Sequence, residues 1–101
     1  MIRSEIKELL ALGQFPPSQA VRLETIKEQE RLVRMVHSPV SNEEAVQLLR
    51  VFGPDDYFGL AWAVLHLIES APGWPLRDYL EGDENEWITR LRERAQRGGK
   101  L

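Results

Sequence analysis

The stretch FGPDDYFGLAWAVLHLIESAPGWP, Phe52 to Pro75, decides the fold. Gly53-Pro54 stops one helix, and Asp55-Asp56 places carboxylates where the start of the next favours negative charge. Phe58, Leu60, Ala61, Val64, Leu65, Leu67 and Ile68 then cover most of the helical circumference. A helix that is apolar nearly all round is a buried one. Pro72, Gly73 and Pro75 break the chain around Trp74. The expectation is a central buried helix from Asp55 to about Ala71, with the remaining elements packed around it.

One stripe of that helix differs from the rest. Asp55, Gly59, Trp62, His66 and Glu69 follow a helical spacing and share a face. The stripe holds every ionisable group of the helix except Asp56 and the Tyr57 phenol. Glycine within a helix costs about 1 kcal/mol against alanine, which suggests that another backbone or a ligand approaches closely at Gly59. Two readings stand side by side. In one, the stripe is a groove with Trp62 as an apolar platform and His66 and Glu69 as polar contacts. In the other, the helix crosses a neighbour at Gly59, with Trp62 packed and His66 bonded at the rim. The candidate partner contacts are Asp55, Asp56, Trp62, His66, Glu69 and Trp74.

The flanking sequence also reads as helix. Ile2, Ile6, Leu9 and Leu10 form one stripe of a helix over Ile2 to Leu12, and Gly13 with Pro16-Pro17 ends it. Ser18 is expected to cap a second helix running to about His37, with Ala20, Leu23, Ile26 and Val33 on its apolar side. Ser41 and Glu44 have the S-x-x-E spacing of a capping box and open a third helix. Leu76 to Leu80 has room for a turn or two. Asp83 and Glu86 suggest a second capping arrangement, before a last helix from Glu84 to about Arg97. No segment alternates with period two, so no strands are expected. The fold class is all-α: a single domain over residues 1–101, of five to six helices whose short linkers favour antiparallel neighbours.

Composition narrows the function classes. The 101 residues lack cysteine, which removes disulfides and thiolate chemistry and fits a reducing, cytoplasmic setting. MIRSEIKELL alternates charged and apolar groups and has no secretory apolar core. The apolar run Leu60 to Leu65 is far short of the ~20 residues of a membrane span. A net charge of −3 does not suit a dedicated nucleic-acid binder. Residues 38–86 carry ten acids and two bases, and residues 87–101 five bases and one acid. Many of the acids stand at helix starts, where the helix dipole accounts for them. Those left over, if clustered, would steer a basic partner.

Motifs for chemistry are sparse. His66 and Glu69 could pair as a base and its orienter across one helical turn, the basis of an alternative reading as a small hydrolase or metal enzyme. No motif places a nucleophile beside them. Two histidines 29 positions apart and no cysteine give no zinc spacing. No cofactor, metal ligand or catalytic residue is assigned.

Glu44 to Ser70, EAVQLLRVFGPDDYFGLAWAVLHLIES, resembles one HEAT-type helical repeat: a paired leucine before a turn, acids in the turn, then a helix of small and apolar residues. The arginine usual early in the second helix is absent, and Trp62 is bulky for its position. The same stretch resembles small bacterial toxin-immunity proteins. These resemblances imply HEAT-like packing and a cytosolic inhibitor whose partner is a protein of the basic toxin or nuclease kind. A homo-oligomer with the Trp62 to Trp74 region as its self-interface is the alternative expectation.

Overall fold

The computed structural model describes residues 2–82 and 85–99. Among the described residues there are five α-helices and no strand: α1 Ser4–Leu12, α2 Leu23–Met35, α3 Asn42–Leu48, α4 Leu60–Glu69 and α5 Glu86–Arg97. Short 3-10 turns occupy Ser18–Ala20, Leu49–Val51, Tyr57–Gly59 and Arg77–Tyr79. None of the described helices is long and apolar enough to cross a membrane.

Local chemistry sets the helix ends. Ser41 accepts from the Glu44 amide while Glu44 accepts from the Ser41 amide, so the expected capping box opens α3. Gly13, in a left-handed conformation at φ 86°, closes α1. Asn85 caps α5 by accepting from the Trp87 amide at 2.8 Å; Asp83, expected to act with Glu86, lies outside the described residues.

Long-range hydrogen bonds fix the chain directions. Arg3, just before α1, donates to the carbonyls of His37 and Pro39, just after α2, so α1 and α2 run antiparallel. Gly73, after α4, donates to Asn42 at the start of α3, so α3 and α4 do the same. Arg3 also grips Glu44 at the start of α3, and the Phe15 amide after α1 donates to the Val51 carbonyl after α3. Therefore α1 and α3 share a direction. Tyr57, before α4, reaches Gln29 in α2, and Ser70, after α4, accepts from the Val40 amide after α2. So α2 and α4 are parallel as well. The result is two helical hairpins stacked in the same orientation.

The fifth helix joins the α2–α4 layer. Trp62 meets Trp87 and Arg90, and seven residues on, Glu69 meets Arg94. This order of contacts makes α5 parallel to α4, which the length of chain between the two helices permits. One layer is thus α2, α4 and α5. The other is α1 and α3, with the turn Arg77–Tyr79 beside α3. Overall extents of 39 × 28 × 17 Å describe a slab whose thin dimension is that of two helix layers roughly 8–10 Å apart.

The core fills the space between the layers, and α4 lies at its middle. Its Leu60, Ala61, Val64, Leu65, Leu67 and Ile68 are buried, and it packs against α2, α3 and α5. Two expectations need correction. The helix does not run from Asp55: Tyr57, Phe58 and Gly59 have φ of 47°, 58° and 87°, and regular helix begins at Leu60. Nor does Ser18 cap a long second helix. The Asp55 carboxylate takes both its amide and its hydroxyl, at 3.0 and 2.9 Å, leaving a 3-10 turn and an extended step before α2. In consequence Leu23, expected on the apolar stripe, is 64% exposed, and Ala20 is also exposed. The buried side of α2 is Gln29, Leu32 and Val33.

Candidate functional site: the outer face of α4 and α5

Helical spacing places Trp62, His66 and Glu69 on the side of α4 that turns toward α5 and solvent. On α5 the same arithmetic puts Trp87, Leu91 and Ala95 inward and Arg90, Arg94 and Arg97 at the seam. The two stripes meet. Trp62 stands edge-on to Trp87, centroids 5.0 Å apart at 87°, and Trp87 in turn stacks on Phe52. Trp87 also donates its indole N–H to the Asp55 carbonyl at 3.2 Å, so the Asp55-Asp56 turn adjoins the start of α5.

Arg90 covers this aromatic pair. Its guanidinium carbon lies 5.4 Å from the Trp62 ring and 5.0 Å from the Trp87 ring, a cation–π arrangement with both. Glu86, one turn earlier, holds the guanidinium in place. Trp62 remains 37% exposed, so one edge of the cluster faces water while the rest is fixed by packing.

The other end of the seam is a charged clamp. Arg94 donates two hydrogen bonds to Glu69, at 2.7 and 2.9 Å, and the carboxylate raises the Arg94 pKa. His66 lies between the clamp and Trp62, exposed, with its Nδ1 3.4 Å from Glu69 Oε1. A cleft of about 180 Å³ separates the helices here, lined by Trp62, Arg90, Glu93, Arg94 and Arg97.

Of the six residues singled out from sequence, Trp62, His66 and Glu69 lie together. Asp55 is elsewhere: its carboxylate accepts from the Ser18 and Tyr57 amides, which hold its pKa below the usual value against the effect of burial. Asp56 is exposed in the same turn. Trp74 is half-buried against the core beyond the far end of α4. The expected close approach at Gly59 is not found; a Cβ there would meet nothing within 4 Å, and the glycine serves the left-handed turn into α4. Sequence reasoning missed the arginines. Arg90, Arg94 and Arg97 at i, i+4 and i+7 form a legible stripe, whereas the pairing of Arg94 with Glu69 on α4 is not legible.

Glu69 thus binds Arg94 through both oxygens, and the one nearer His66 stands 3.4 Å from its Nδ1. Among the described residues no three His, Cys, Asp or Glu side chains gather to hold a metal ion. No family model, curated protein or solved structure matches this chain.

Proposed function

We propose that this chain is a protein-binding module that meets its partner through the outer face of α4 and α5, with Trp62 at the centre. The observation that carries the reading is the Trp62–Trp87–Arg90 cluster. Tryptophan and arginine are the side chains that most often dominate interfaces. Here packing and Glu86 hold them still before any partner arrives, so little conformational entropy is lost on binding. Charged groups of both signs surround the indole, as at the rim of an interface.

The resemblance of Glu44 to Ser70 to toxin-immunity proteins suggests the partner's class: a toxin held inactive in the cytoplasm. Its surface would match both signs of charge. A basic element would lie opposite Asp56, exposed in the turn that adjoins the start of α5, and an acidic one opposite Arg97 at the other end of α5. Asp55 and Glu69 contribute less to such attraction than their sequence positions imply, because internal donors already hold them. Helical hairpins stacked in one direction, as repeat proteins use them, offer broad faces suited to such binding.

Site-specific crosslinking in the native host tests the assignment. A photoreactive residue at His66 should capture one protein, and the same probe at Lys7, exposed on α1 in the opposite layer, should not. Equal capture from both positions would remove the α4–α5 face from consideration.

A further inference from the structure

The other side of α4 carries a second feature, independent of the seam. Between α2 and α4 runs a groove of about 460 Å³, its apolar lining supplied by Val33, Val36, Leu60, Ala63 and Leu67. Glu30 and Arg34, joined at 3.2 Å, stand at its rim together with Phe58. Phe58 is 60% exposed and adopts φ 58°, ψ 29°.

That conformation is costly for a bulky residue, about 1–2 kcal/mol, and glycine or asparagine would adopt it more cheaply. The neighbouring Tyr57 also has positive φ, but its ring is fully buried, stacked on Phe15 at 4.7 Å, so packing offsets the cost. Phe58 gains no comparable burial within the chain. Its ring projects from the edge of an apolar groove that no side chain of the described residues fills.

We infer that two copies of this chain pair across a two-fold axis, each placing Phe58 in the other's α2–α4 groove. A two-fold interface requires one patch to be complementary to itself. This patch has a knob and a hole side by side. It also has one acid and one base at the rim, so Glu30 of each copy can face Arg34 of the other. A patch that carries both a knob and a hole, and both signs of charge, matches a second copy of itself on each count. Pairing here leaves the face of α4 that bears Trp62 on the far side of the helix.

Sedimentation velocity over a concentration series tests the inference with three proteins. The wild-type chain should reach a dimer by about 100 µM. Phe58→Asn, which suits the left-handed backbone and should fold at least as well, should weaken dimerisation about 100-fold, since two rings are lost per interface. Arg34→Glu should also weaken it, and Glu30→Arg combined with Arg34→Glu should restore it, because the exchanged charges again meet across the axis. A wild-type chain that stays monomeric throughout would overturn the inference. So would a dimer that Phe58→Asn leaves unchanged.

Discussion

Replacing Glu44 by glutamine probes the joint that fastens the two hairpins. Glu44 is 2% exposed and opens α3. Its carboxylate accepts from the Arg3 Nε at 2.9 Å, Nη2 at 3.1 Å and backbone amide at 3.0 Å, and from the Ser41 amide at 2.8 Å. Through the same guanidinium, Arg3 reaches the His37 and Pro39 carbonyls, so one ion pair ties the start of α1, the end of α2 and the start of α3. Burial by itself would raise the Glu44 pKa. The Arg3 side chain and the two amides outweigh it and bring the pKa down from 4.5 to about 2.

A shift of that size corresponds to about 3 kcal/mol of stability carried by the ionised form. Arg3 is partly open to solvent, which screens the pair and reduces the expected cost of Glu44→Gln to about 2–3 kcal/mol. For a domain of this length that lowers Tm by roughly 10–20 °C. The sign of the pH dependence follows from a depressed folded-state pKa. The contribution is fully present above pH 4.5 and is lost as pH falls toward 2. Urea unfolding followed by circular dichroism at pH 7 and near pH 2.5 measures both quantities. The gap between wild type and variant should be wide at pH 7 and should have narrowed at the lower pH. A loss under about 1 kcal/mol at pH 7, or a gap that does not change with pH, would refute the role given to this joint.

Other substitutions test separate parts of the packing. At Gly53 an added Cβ would lie 2.0 Å from the Phe15 carbonyl oxygen, so Gly53→Ala should cost about 2 kcal/mol in urea unfolding, and a neutral effect would contradict the close approach. Gly59→Ala meets open space but keeps φ 87°, so thermal melts should show a smaller loss, about 1 kcal/mol. The buried Tyr57 hydroxyl donates to Gln29, whose Nε2 has no partner among the described residues. Gln29→Leu should therefore cost about 1–3 kcal/mol, whereas combining it with Tyr57→Phe should recover most of that by removing both polar groups. A double variant as unstable as the single one would show that the hydroxyl is satisfied in another way.

What was legible in the sequence is the chemistry that acts within one turn of helix. The capping box at Ser41 and Glu44, the glycine after α1, the stop at Gly53-Pro54 and the burial of α4 all rest on neighbours a few positions apart. The errors arose where a distant group took over. Asp55 reads locally as a helix-start acid, yet it is committed to Ser18, 37 positions away. Gly59 reads as a helix-interior glycine, yet the left-handed run from Tyr57 makes it the entry to the helix. The acids of the middle segment read as a possible negative face, but Glu69 is matched by an arginine 25 residues later in the chain. Spacing located Trp62, His66 and Glu69 on one face; only the packed structure added Arg90 and Arg94 to it.

The most direct test of the account is quantitative capture from the native host with two baits, wild type and Trp62→Ala. Helical circular dichroism and a cooperative melt must first show that the variant is folded, since Trp62 also packs on Trp87. The account predicts one protein recovered with the wild-type bait and reduced about 30-fold or more with the variant, the loss expected of a central interface tryptophan. Undiminished recovery of that protein on the folded variant would contradict the claim that the α4–α5 face is the binding surface.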